Sequence, residues 1–266
     1  QAKPRYLPMK DVDGFKIVEY ELVGWIAGAA IGRAEGALGA EDPFTELRGS
    51  LRWGFNAGSH VRGAGRDLAF TRRTDAGEWR QTLTTHQLRL YILAGRRGSV
   101  LLEGEGRAGF DARGALVGRE KYELAEDTAP AVPGAYLDTP TPGVGGVDAH
   151  LRPAFPFHGG AATGFRAFKN GAFIGDRYVR GTAEARTGCV HFLSVDWGAA
   201  IFYDAGRVYY EGLPVPALAQ DVGFGLRIQI VGAFTSMLRL DGAYAVSGVP
   251  AGESRVPVNF TIEQTF

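Results

Sequence analysis

Gly98-Ser-Val-Leu-Leu-Glu-Gly-Glu-Gly-Arg-Ala-Gly-Phe-Asp-Ala-Arg-Gly114 alternates along its whole length. Val100, Leu102, Gly104, Gly106, Ala108, Phe110 and Ala112 fall on one side of an extended chain. Leu101, Glu103, Glu105, Arg107, Gly109, Asp111 and Arg113 fall on the other. This is a period-2 strand with an apolar or small face and a face carrying acids and arginines together. Such a charged face is foreign to a soluble core and ordinary for the polar lumen of a transmembrane barrel.

The same reading extends outward. Leu47, Gly49, Leu51, Trp53 and Phe55 oppose Arg48, Ser50, Arg52 and Gly54, and Val222, Phe224, Leu226, Ile228 and Ile230 oppose Asp221, Gly223, Gly225, Arg227 and Gln229. Phe234, Leu238, Leu240, Tyr244 and Val246 oppose Thr235, Arg239 and Asp241. In the closing stretch 256–266, Val256, Val258, Phe260, Ile262 and Phe266 share a side, with Gln264 the one polar member. Strands are expected over 15–30, 45–58, 60–72, 78–95, 98–113, 114–124, 146–158, 187–197, 199–210, 221–231, 233–246 and 256–266, about twelve in all. The expected fold is all-β: a transmembrane antiparallel β-barrel over residues 15–266, preceded by a periplasmic segment, 1–14.

Bulk properties narrow the function. The 29 basic and 29 acidic side chains of the 266 residues cancel, which argues against a nucleic-acid binder. A single cysteine, Cys189, leaves no intramolecular disulfide and no cysteine metal cluster. The mean hydropathy of −0.08 reflects the absence of a long apolar run, so a spanning helix is not expected. Alternating barrel strands escape that test. The chain begins at Gln1, as a mature protein does once its signal peptide is removed.

Motifs for chemistry are weak. Gly104-x-Gly106-x-x-Gly109 has dinucleotide-site spacing, but charged alternation runs through it where a helix amino-terminus is needed, so no nucleotide is expected. His60, His86, His150, His158 and His191 lack metal-site spacing, and there is no G-x-S-x-G elbow. No metal, cofactor or catalytic residue is assigned, and the chain is not expected to be an enzyme. Gly24, Gly28, Gly32 and Gly36 fit a glycine-rich strand with its turn, or a small-residue stripe on a helix. Residues 125–146, rich in Pro and Gly, read as a long loop. Trp25, Trp53, Trp79 and Trp197 all lie on expected strands, as aromatic girdles require.

The segment 173–186 reads as a loop between strands. It carries Val179-Arg180-Gly181, and about twenty residues on, Phe202-x-Asp204-x-Gly206 lies on a strand. In a barrel, Arg180 on a loop folded into the lumen would pair with Asp204, and breaking such a pair costs about 3 to 5 kcal/mol if it is fully buried.

Residues 173–266 resemble the carboxy-terminal barrel of the Omp85 superfamily, the bacterial surface antigen or BamA/TamA/FhaC group. In that family a lumen loop carries Val/Ile-Arg-Gly-Tyr/Phe, its arginine meets an acid on an F-x-D-x-G strand, and three strands and a terminal aromatic follow. Val179-Arg180-Gly181 resembles the first motif, with Thr182 where the family has an aromatic; Phe202, Asp204 and Gly206 resemble the second. The last strand, with Phe260, Ile262 and Phe266, resembles the β-signal read by the barrel-assembly machinery. Family barrels have sixteen strands, and no POTRA domain precedes the strands here, so the chain resembles the family's reduced members. The resemblance implies a bacterial outer membrane in a Gram-negative cell, contact with outer-membrane lipids, and a role in membrane biogenesis, protein insertion or translocation. A periplasmic or lipoprotein partner would supply the missing domain. A structural barrel anchoring an envelope complex and a narrow passive pore are the alternatives.

Overall fold

The computed structural model describes residues 5–10, 18–38, 43–75, 77, 79–95, 98–110, 157–211, 214–230, 236–249 and 258–264. The expected loop 125–146, the expected strand 114–124 and Phe266 lie outside them. The described chain is all-β. Its strands are β1 (Arg5–Lys10), β2 (Val18–Ala34), β3 (Phe44–Ala57), β4 (Val61–Thr74), β5 (Trp79–Leu93), β6 (Gly98–Phe110), β7 (Phe157–Gly159), β8 (Phe173–Gly175), β9 (Arg177–Thr187), β10 (Val190–Phe192), β11 (Val195–Tyr209), β12 (Ala219–Ile230), β13 (Ser236–Ser247) and β14 (Val258–Gln264).

Twelve of these form one antiparallel sheet, in the order β1-β2-β3-β4-β5-β6-β9-β11-β12-β13-β14, with the short β10 also paired to β11. Neighbours in the chain are neighbours in the sheet, as a meander of hairpins requires. The exceptions are the step from β6 to β9, which passes over the small β7–β8 hairpin, and the step from β9 to β11, which passes over β10. The β10–β11 hairpin closes on Leu193 and Ser194, both left-handed at φ 51° and 60°; a two-residue turn of that hand matches the twist of its strands. β1 and β14 are the two sheet edges, and no pairing between them occurs among the described residues.

The register carries the alternation from strand to strand. Ile201 lies opposite Phe224 and Ala185, Ala185 opposite Val100, and Val100 opposite Ile92. On the other face Asp204 lies opposite Asp221 and Thr182, and Thr182 opposite Glu103. Polarity is therefore reversed relative to a soluble sheet. Ile201 (66%) and Phe224 (68%) are exposed, whereas Asp204 and Asp221 (both 0%) and Arg227 (2%) are buried.

Three expectations need correction. Segment 173–186 is not a loop but β8 and most of β9. Tyr178, Arg180, Thr182, Glu184 and Arg186 hold the charged face while Val179, Gly181, Ala183 and Ala185 hold the apolar one, and hydrogen bonding to both β6 and β11 makes it an interior strand. Residues 5–10, placed ahead of the barrel by the sequence, instead pair with β2 as β1. Of the expected strand 146–158, only the end is described, and it enters β7 rather than the large sheet. The glycine-rich stretch resolves as strand: Gly24, Gly28 and Gly32 lie in β2, and Gly36 opens a single 3-10 turn. At the carboxy-terminal end Phe260 is the register partner of Leu240, and Ile262 that of Leu238.

Candidate functional site

A compact segment, 157–176, packs on the charged face of β9, β11, β12 and β13. Its two ends are tied by the β7–β8 hairpin. Between them a 3-10 turn at Ala161–Thr163 is followed by Gly164 in the left-handed region (φ 90°). The Ala161 amide donates to the Phe168 carbonyl at 2.9 Å, and the Phe165 amide to the Gly160 carbonyl at 3.0 Å, closing the segment on itself. Phe165, Phe168 and Phe173 form an aromatic knot with centroids 5.0–6.4 Å apart, and Phe165 meets Tyr178 of β9 edge-on at 5.8 Å. The knot joins Phe202, Val208, Ala219, Ala243 and Ala245 in one apolar cluster on this otherwise charged face.

Arg166, between those phenylalanines, is the centre of the site. Its Nε donates to Asp204 Oδ2 at 2.7 Å and its Nη2 to Asp204 Oδ1 at 3.0 Å, a two-pronged bond that fixes the guanidinium plane. Nη1 donates to Glu184 Oε2 at 2.6 Å, and the guanidinium carbon lies 3.4 Å over the Phe202 ring. The carboxylates have further partners. Glu184 Oε1 accepts from Arg186 Nε at 2.8 Å and from Arg227 Nη2 at 3.1 Å, and Arg227 Nη1 donates to Asp241 at 2.5 Å. Arg239 Nη2 stands 3.5 Å from both Glu184 and Asp241. Asp221, opposite Asp204, accepts from the Ala167 amide at 3.4 Å. Charges this deeply desolvated persist only when paired, and Arg166, Arg186, Arg227 and Arg239 answer Glu184, Asp204 and Asp241.

The residues singled out in the sequence lie around this centre in changed roles. Asp204 is the acid of the lock, but its arginine is Arg166. Arg180, on β9, donates instead to Glu103 and Glu105 of β6, and to Thr182 Oγ1 at 2.8 Å; that hydroxyl donates in turn to Asp204 Oδ1 at 2.7 Å. Arg180 thus reaches Asp204 through Thr182, the residue that stands where the resemblance expects an aromatic. Gly181 sits on the opposite, exposed face of β9. Phe202 forms the bed under Arg166. Gly206 is required by close approach, since a Cβ there would lie 2.8 Å from the Phe165 ring and collide with the Val179 carbonyl. Arg166 escaped sequence reading because its stretch has no period; the available signal was an arginine set between phenylalanines just after Gly159-Gly160-Ala161-Ala162.

At the end of the hairpin, Asp176 accepts from the Glu211 amide at 2.8 Å and lies 3.6 Å from Arg177 Nη1. Burial raises the Asp176 carboxyl above its ordinary pKa against the pull of Arg177. Tyr210 is pushed up to about 12, by burial first and then by the charge of Asp176. No cluster of His, Cys, Asp and Glu among the described residues is arranged to hold a metal ion. Comparison of the chain with protein-family models, with curated proteins and with solved structures finds no match.

Proposed function

We propose that this chain is an integral outer-membrane β-barrel of Omp85 type, with segment 157–176 held in its lumen by Arg166. It acts in outer-membrane biogenesis, protein insertion or translocation, together with a separate periplasmic or lipoprotein partner, and it is not an enzyme. The observation that carries the reading is the reversed polarity of the sheet: long apolar rows face outward while paired charges are buried. Two further features support it. No helix among the described residues is long and apolar enough to cross a membrane, so a membrane chain of this kind would cross with strands. In lipid, the open edges of β1 and β14 would leave backbone groups without partners, a cost removed when the sheet closes on itself. The loop arginine and strand acid that the family resemblance calls for are supplied by Arg166 and Asp204.

Heat modifiability tests the barrel. Detergent-extracted protein is expected to run faster on SDS gels unboiled than boiled; protein soluble without detergent and unshifted by boiling would sink the reading. The role is tested by depleting the chain from its host and following the assembled fraction of other outer-membrane barrels. A fall is expected, and unchanged assembly would leave an anchor or a pore. One observation favours the pore as second reading: the charged face of β3–β5 is only partly covered, with Arg52 and Arg66 exposed. Steady single-channel conductance that rises in Arg166→Ala would identify it.

A further inference from the structure

Three arginines on the charged face of β3 and β4 stand apart from the ion-pair network. Arg52 and Arg66 are direct cross-strand partners. Arg62 lies on the same face four residues, two pleat repeats, along β4, opposite Asn56 and Tyr91. None of the three has a hydrogen-bond or ion-pair partner among the described residues. The nearby acids are already engaged. Glu46 is held by Arg48 and Arg72, Glu103 by Arg89 and Arg180, and Glu105 by Arg107, Arg180 and Gln87.

The arrangement costs stability as it stands. Like charges directly opposite one another in a sheet repel. The Nε and Nη1 of Arg62 are shut off from solvent with no acceptor, which leaves their desolvation uncompensated. Orphaned nitrogens occur elsewhere: Arg180, Arg227 and Arg239 each meet a carboxylate through another nitrogen, and the orphaned Nε of Arg207 lies on the other face of the sheet. An oxyanion bridging the three guanidinium groups would remove the repulsion and supply the missing acceptors, in the forked geometry that suits arginine to phosphate.

We propose that Arg52, Arg62 and Arg66 form a binding site for a water-borne, multiply charged oxyanion of phosphate type. The site occupies one sheet face and needs neither edge to close, so it stands or falls separately from the barrel reading.

Inorganic pyrophosphate is the probe, titrated calorimetrically into the full chain in detergent, with thermal melts followed by circular dichroism. The wild type is expected to bind, and at a hundredfold excess over Kd its melting midpoint should rise by roughly 5 °C. Arg66→Gln and Arg52→Gln should each weaken binding about tenfold or more, corresponding to loss of one charge-assisted contact. Both should melt slightly higher than wild type without ligand, since each removes the cross-strand repulsion. If one variant fails to fold, the other carries the test. No heat of binding, an equal midpoint shift with sodium chloride at matched ionic strength, or undiminished affinity in both variants would overturn the site.

Discussion

Arg66 and Arg227 both sit mid-strand on the charged face of the same sheet, yet Arg66 is exposed and has no partner among the described residues, while Arg227 is 2% exposed between two carboxylates. The difference lies in their cross-strand rows. Arg227 is flanked by Gly198 and Arg239, with Glu184 and Asp241 within reach, and the tucked segment brings in Arg166 to complete the set. Arg66 is flanked by Arg52 and Gln87, and no described segment covers it. Over β9–β13 the charged face is a packed interior in which each buried arginine meets a carboxylate. Over β3–β5 it is an open wall. Alternation alone decides which face is charged; the segment laid upon that face decides whether the charges stabilise the fold or repel.

The sharpest way to break this contrast is to remove one arginine from each region. Arg166→Ala leaves Asp204 buried without its arginine and removes one of the partners of Glu184, and should cost about 3–5 kcal/mol. The temperature at which the protein loses its unboiled mobility on SDS gels should fall accordingly. Arg52→Ala, read the same way, should be neutral or slightly stabilising. Equal losses in the two variants would show that both walls are packed alike.

Gly206→Ala should come next, at about 1–3 kcal/mol, because the added methyl displaces the Phe165 ring. Gly49→Ala on the apolar face of β3, where no atom lies within 4 Å of the new methyl, is its control and should change the transition little. Phe202→Leu, which removes the aromatic bed under Arg166, should cost about 1–2 kcal/mol.

The smallest effect concerns pH. The folded-state pKa of Asp176 is raised, so its contribution is fully present below the ordinary aspartate pKa and is lost as pH rises through the raised value. Wild type should therefore lose stability relative to Asp176→Asn as pH rises above the ordinary aspartate pKa, measured as the difference between their thermal midpoints. A difference that does not change with pH would remove Asp176 from the account.

Much of the sheet was legible in the sequence. β3, β6, β12 and β13 carry bulky residues on one face and charges on the other, and their boundaries fall within a few residues of the alternation. β9 was not, because Gly181, Ala183 and Ala185 make its apolar face too small to register as hydrophobic, so the segment reads as a loop folded into the lumen. β1 was hidden by its shortness and by Pro8. For the site, Asp204, Phe202 and Gly206 were found because they recur at period 2 on one strand. Arg166 was not, since its position depends on a turn and on aromatic packing rather than on any repeat. The nearer-looking Arg180 took its place in the reading.

The order of synthesis gives the Arg166 lock one more property. All three of its acids, Glu184, Asp204 and Asp241, lie downstream in the chain, at separations of 18 to 75 residues. The arginine is therefore made before any group that can neutralise it, and closing those long loops is a late and entropically costly event. A chain cut after β12 would possess the tucked segment yet lack Asp241, leaving Arg227 without one of its two acids. Full pairing of Arg166 and Arg227 thus requires β13, so the lock closes only on a chain that reaches that strand.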